Sequence, residues 1–203
     1  KDCRLTLTAT KPSITKKIRG NIMQIKYDGA FDLAVGSKRT CKIWKNNKTV
    51  WSDMLSKLSV PVRTKESLIE YNSMSKETKK ELKDVGGFVG GLLKDGKRTP
   101  AAVVHRQLVA LDADFADSGF LSMLDILYGH VAYAVYSTRS YTKTQPKYRI
   151  IIPLSAPVKA DAYQAISRRI ADDLGLTYFD DTTYQVERLM YWPSCSNDAT
   201  YIF

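Results

Sequence analysis

The run Gln107–Asp112 (QLVALD) constrains the fold more than any other part of the chain, because it is apolar through its middle and ends in Asp112-Ala113-Asp114. A short apolar run of this kind reads as a buried strand. The segments after it have equally clear periods. Ser118–Tyr128 predicts an apolar helix closed by Gly129, and His130–Ser137 (HVAYAVYS) a strand. Thr138–Pro146 is a polar loop, and Lys147–Leu154 (KYRIIIPL) is a third strand. Lys159–Leu174 carries Ala162, Tyr163, Ile166, Ile170 and Leu174 on one helical face, with Gly175 after it. Arg188–Trp192 (RLMYW) is a last strand, stopped by Pro193. The order β-α-β-β-α-β is the split βαβ, ferredoxin-like arrangement, so the fold class is α+β. In that arrangement the first and third strands lie side by side at the centre, and the fourth flanks the first.

The N-terminal half has weaker signals. Residues 1–20 read as a flexible basic arm and residues 21–106 as an α/β module, leaving 107–203 as the split-βαβ domain. Within the module, Asn21–Tyr27 and Thr40–Lys45 predict strands, and Asn46-Asn47 a turn into Lys48–Trp51. Ser52 is expected to cap a helix through Leu58, Thr64 one over Lys65–Tyr71, and Ser75 one over Lys76–Asp84 that stops at Gly86-Gly87.

Composition narrows the function. A net charge of +10 over 203 residues points to a polyanionic partner, nucleic acid first. Three scattered cysteines argue against a disulfide scaffold and for a reducing cytoplasm, and the resemblance given below implies a bacterial host cell. Two histidines, His105 and His130, argue against a His-rich metal site. No stretch reaches the roughly 20 apolar residues of a membrane helix, so no membrane role is expected.

The chemistry is expected at one sheet end. Asp112 and Asp114, two apart on a strand, face the same side. Two close carboxylates repel, and a hard divalent cation such as Mg²⁺ or Mn²⁺ relieves the repulsion. The ferredoxin-like topology brings a second acidic pair, Asp180-Asp181, to the same end. Lys147 and Arg149 open the third strand beside these acids, Arg139 lies in the loop before it, and Arg188 opens the last strand. Such cations suit a nucleoside triphosphate. The glycine-dense run Lys83–Gly91, including Gly86 and Gly87, is no Walker A loop but allows close approach of a phosphate or template backbone, with a helix C-cap as the plainer reading.

Taken together, Lys83–Gly91, Leu111–Asp114, Tyr136–Pro153 (YSTRSYTKTQPKYRIIIP) and Phe179–Ser194 (FDDTTYQVERLMYWPS) resemble phage and mobile-element primases. These belong to the archaeo-eukaryotic primase, or primase-polymerase, superfamily, and often form the N-terminal part of helicase-primase or virulence-associated E proteins. The resemblance implies an RRM-like catalytic palm with an N-terminal module, and two-metal, template-directed nucleotide transfer. It implies Asp112, Asp114 and Asp180 as catalytic and metal-binding acids, with Asp181 as the alternative third. It implies Lys147, Arg149, Arg139 and Arg188 as nucleotide-binding groups. Arg149 stands where the family has histidine, and Arg139 and Tyr141 lie in a loop where relatives tend to carry another.

The expectation is therefore a DNA primase-polymerase domain using Mg²⁺ or Mn²⁺, nucleoside triphosphates and a single-stranded DNA template, with a helicase domain C-terminal to it. Lys83, Gly86, Gly87 and Trp44, with Trp51 as a second stacking platform, are the expected template contacts. The rivals are a catalytically silent RRM-like single-strand or origin binder and a metal-dependent nuclease.

Overall fold

A computed structural model describes residues 14–18 and 21–203. Strands β1 (Ile14–Ile18) and β2 (Asn21–Ile25) form an antiparallel ribbon, followed by β3 (Ala30–Gly36), β4 (Lys45–Val50) and helix α1 (Trp51–Leu58). The chain continues through β5 (Val62–Arg63), α2 (Leu68–Ser73), α3 (Lys76–Lys83), β6 (Gly87–Val89) and β7 (Gly91–Leu93). Then come β8 (Val103–Ala113), α4 (Phe120–Tyr128), β9 (Ala134–Ser137), β10 (Tyr148–Val158), α5 (Ala160–Leu174), β11 (Met190–Tyr191) and β12 (Ser194–Cys195).

Two four-stranded sheets organise these elements. The palm sheet has the order β7-β8-β10-β9, and the second sheet β11-β6-β3-β4. The long antiparallel pair β8/β10 is central, as the two apolar runs predict, and both strands are buried along most of their length. Alternation divides their side chains between two cores. Val109, Leu111, Ile150 and Ile152 face α4 and α5, meeting Phe120, Leu124, Tyr163 and Ile170. Leu108, Ala110 and Ile151 face the other way, toward Phe31, Leu33 and Phe88 of the second sheet and Trp51 and Leu55 of α1.

The α+β class and the central pairing agree with the sequence, but the last strand does not lie where the ferredoxin-like order puts it. The edge beside β8 is taken by β7, while β11 pairs with β6 in the second sheet. Sheet membership therefore does not change at residue 106: β7 precedes that point and β11 follows it. Of the expected arm, residues 1–13 and 19–20 lie outside the described residues, and 14–18 is strand β1.

Two local expectations are also corrected. Asn46 and Asn47 sit inside β4, not in a turn. The Asn46 amide donates to Leu93 O at 2.8 Å and its Oδ1 accepts from Leu93 N at 3.1 Å, so it serves a distant backbone instead of its own. Ser67, not Thr64, caps α2, through a reciprocal capping box with Glu70. Ser75 caps α3 as expected.

The glycine run Gly86–Gly91 is a packing requirement. Gly86 has φ +83, and a Cβ there would sit 2.7 Å from Gly36 O. A Cβ on Gly87 would lie 2.5 Å from Met190 O and meet Leu189 Cδ1 still more closely, because β11 pairs tightly beside it. Both glycines are buried, which removes them from the expected template surface. Gly87→Ala is therefore expected to cost roughly 2 kcal/mol or more through overpacking at the β6–β11 pair. Urea unfolding measures this, and an unchanged midpoint would show that the run is not held by close packing.

Candidate functional site

The register of the palm sheet builds the site. Asp112 on β8 is paired with Arg149 on β10, which in turn is paired with Tyr136 on β9. Three strands thus present Asp112, Arg149 and Tyr136 in a row on the face that meets the second sheet. Arg149 Nε donates to Asp112 Oδ1 at 2.6 Å, and its Nη1 donates to Tyr136 Oη at 3.1 Å and Tyr191 O at 2.8 Å. Asp112 and Arg149 are only 6% and 8% exposed. Burial opposes the charge on Arg149, but Asp112 and Tyr136 outweigh it and hold the guanidinium more firmly protonated than usual.

This row opens into a cavity of ≈ 470 Å³ between the palm and the N-terminal half. Asp112, Asp114, Arg139, Arg149 and Arg188 line it, as does Lys83. Burial and the neighbouring Asp112 push the Asp114 carboxyl above the usual carboxylate range. Lys83 reaches in from the end of α3, with Nζ 5.1 Å from the Tyr191 ring centre. Burial, and next Arg149, lower its ammonium below the usual lysine value. Arg39, Lys80 and Arg98 also line the cavity. No sequence signal marked these three, since they come from separate segments whose meeting depends on the second sheet.

Several expected site residues have other work. Arg139 is pinned by Glu66 Oε1 and by Thr64 Oγ1, 2.5 Å from its Nη2, and lies 4.7 Å over the Tyr71 ring. Asp180 does not line the cavity. Its Oδ1 accepts from Thr182 N at 2.8 Å, capping a short 3₁₀ turn over Asp181–Tyr184, and this bond first of all lowers its pKa. That turn aims Thr183 Oγ1 at the backbone N–H of Asp112, 2.8 Å away. Asp180 is close enough to act on Asp114 electrostatically, as is Lys147, which also lies outside the cavity lining. Asp181 is exposed. Trp44 and Trp51, each 1% exposed, are core residues and cannot stack on bases. His105 pairs with Asp32, Nε2 to Oδ2 at 3.0 Å, away from the cavity lining.

The donor set fits one hard cation and not a three-carboxylate centre. Asp112 Oδ1 is taken by Arg149, while no hydrogen bond to its Oδ2 is formed among the described residues; that oxygen and Asp114 are the candidate ligands. Among the described residues, no three His, Cys, Asp or Glu side chains gather as a metal-binding group. No helix among the described residues is long and apolar enough to cross a membrane.

The two acids of the Asp-Ala-Asp run should respond oppositely to neutralisation. Asp112→Asn leaves Arg149 buried without its counter-ion and is expected to cost about 3–5 kcal/mol. Asp114 binds its proton more tightly in the folded state than in the unfolded chain, so its ionisation destabilises the fold above its raised pKa. Asp114→Asn should therefore be more stable than wild type at pH 7, and the gain should disappear as the pH falls below the unfolded carboxylate value. Urea titrations at both pH values check this. Equal effects of the two substitutions would contradict the assigned geometry.

The sequence matches the family described as VapE N-terminal domain over residues 15–203. No curated protein matches it. Among solved structures, the AEP domain (PP-N190) of the cyanophage S-2L primase-polymerase aligns with a TM-score of 0.40 at 15% identity. That alignment covers 82% of this chain and 73% of the other, and is too distant to carry an argument. The family match spans nearly all the described residues, the palm and the cation-lined cavity included: the chain belongs to the VapE N-terminal domain family.

Proposed function

We propose that this domain is a primase-polymerase palm that binds a nucleoside triphosphate in the cavity and transfers its nucleotide to a DNA 3′-hydroxyl, within phage or mobile-element replication. The observation that carries this reading is the balance of charge around the cavity. Seven cationic residues (Arg39, Lys80, Lys83, Arg98, Arg139, Arg149 and Arg188) line it against three acidic ones (Asp112, Asp114 and Glu187). An excess of fixed cations in a partly desolvated cleft suits a polyphosphate. The Asp-Ala-Asp strand end and the resemblance to mobile-element primases support the same reading.

Arg188, Lys80 and Lys83 make no ion pair among the described residues, and Lys83 lies over the Tyr191 ring within electrostatic reach of Asp112 and Asp114. These three are the groups best suited to the phosphates, whereas Arg39 and Arg139 hold Glu81 and Glu66. A divalent cation, Mg²⁺ or Mn²⁺, would be held by Asp112 and Asp114 and would neutralise phosphate charge. Exposed lysines of the second sheet, such as Lys45 and Lys48 on the edge strand β4, supply a surface for single-stranded template. The second reading is a nucleotide-binding module that does not transfer. One observation favours it: the Arg149–Asp112 pair commits an acid that transfer would use.

The test is primer extension on single-stranded DNA with labelled nucleotide and Mn²⁺, run beside nucleotide binding. Wild type should extend, and Asp114→Ala should bind nucleotide but not extend. Arg188→Ala and Lys83→Ala should each weaken nucleotide binding by about tenfold or more, the scale of a charge-assisted hydrogen bond. Binding without extension by wild type would select the silent module. Unchanged affinity in both cation variants would move the triphosphate elsewhere.

A further inference from the structure

We propose that Arg149 is a built-in cation that replaces one of the two divalent ions of a two-metal centre, so that the cavity takes a nucleoside triphosphate with at most one metal ion. The inference rests on the triphosphate site argued above and concerns what neutralises its charge.

The position of Arg149 follows from the sheet. The β8/β10 register places it directly across from Asp112, and the β9/β10 register places Tyr136 on its other side. Its Nε and Nη1 are committed to Asp112, Tyr136 and the Tyr191 carbonyl. Its Nη2 makes no hydrogen bond among the described residues, is not among the buried unpartnered atoms, and belongs to a residue that lines the cavity. One edge of the guanidinium is thus anchored, and one donor pair is left to meet a phosphate oxygen.

A metal ion could claim Asp112 Oδ1 only by standing against this buried cation or by pushing it aside. Both groups are buried, so the displaced Arg149 would keep its charge with no counter-ion, the situation that makes breaking a buried pair costly. Guanidinium does not deprotonate to escape the cost. The remaining oxygens, Asp112 Oδ2 and the Asp114 carboxylate, suffice for one hard cation. The acid expected to complete a second metal site, Asp180, instead caps the turn that orients Thr183 onto Asp112. The strand end therefore offers one fixed positive charge and room for one exchangeable one.

The experiment uses a fluorescent non-hydrolysable deoxynucleoside triphosphate titrated into the protein in EDTA and in Mn²⁺. Electron paramagnetic resonance then counts Mn²⁺ in the saturated complex. Wild type should bind in EDTA within about tenfold of its affinity in Mn²⁺, and hold no more than one Mn²⁺ per chain. Arg149→Gln should lose about a hundredfold or more in EDTA and recover most of it in Mn²⁺, with the count rising to two as Asp112 is freed. Where that variant fails to fold, the wild-type count decides alone. Two Mn²⁺ per wild-type chain, or a wild-type affinity in EDTA more than about tenfold below that in Mn²⁺, overturns the fixed-cation proposal while leaving the triphosphate site standing. Absence of binding in both media overturns the triphosphate site itself.

Discussion

The antiparallel register of β8 against β10 is the constraint on which the other features depend. It sets Asp112 opposite Arg149 and Ala110 opposite Ile151 on one face, and Leu111 opposite Ile150 on the other. A slip of either strand by one residue would turn its charged residue, Asp112 or Arg149, into the aliphatic core under α4 and α5, and expose Leu111 or Ile150 to the cavity. Burial on both faces makes that slip prohibitive, so hydrophobic packing fixes where the charges stand. The ion pair is a result of the register more than its cause.

The other half of the cavity wall comes from elements remote in sequence, and buried polar contacts bring them in. Arg106, fully buried on β8, donates to Gly90 O at 3.0 Å, Leu108 O at 3.2 Å and Val186 O at 2.5 Å, and lies 4.0 Å over the Tyr163 ring. It makes no salt bridge among the described residues and satisfies its donors on backbone carbonyls. In doing so it ties the loop that leads to Arg188 onto the palm. Asp84 accepts from Arg39 N at 3.0 Å, and Arg39 also pairs with Glu81, so the end of α3 and the β3–β4 loop reach the cavity as a unit. The cations meet there because separate secondary elements are locked together, which is why the cleft is lined by both halves of the chain.

How much of this was legible in the sequence depends on which force decides each element. The strands β8 and β10 and the helix α5 were readable because their apolar periodicity is itself the cause of their burial. Asp112, Asp114, Arg139, Arg149 and Arg188 all line one cavity, but only Asp112, Asp114 and Arg149 reach it from the ends of the central strands; Arg139 comes from the loop before β10 and Arg188 from the segment leading into the second sheet. The partner of the last strand was not readable. Its pattern suits either sheet, and the strand it joins, β6, lies in a glycine-dense run that looks like a loop. Those glycines are demanded by tertiary approach: a Cβ on Gly91 would meet His105 O at 2.0 Å, and one on Gly90 would meet Leu108 Cβ at 2.5 Å. Asp180 has a local role that its sequence pattern did not show. Its place before the last strand and the resemblance suggested a metal ligand, whereas in the fold its Oδ1 accepts from a local N–H two residues on. Trp44 and Trp51 looked available for base stacking only while their burial was invisible.

The central claim is that a nucleoside triphosphate sits between the palm and the N-terminal half and is gripped by both. Amide hydrogen exchange with and without a deoxynucleoside triphosphate tests it most directly, because exchange reads position and not activity. The account predicts slowed exchange in three separated segments that line or anchor the cavity: 80–86 at the end of α3, 136–140 after β9, and 185–192 around Arg188. Protection confined to a single half of the chain, or at the apolar surface formed by α4 and residues 131–135, would contradict it.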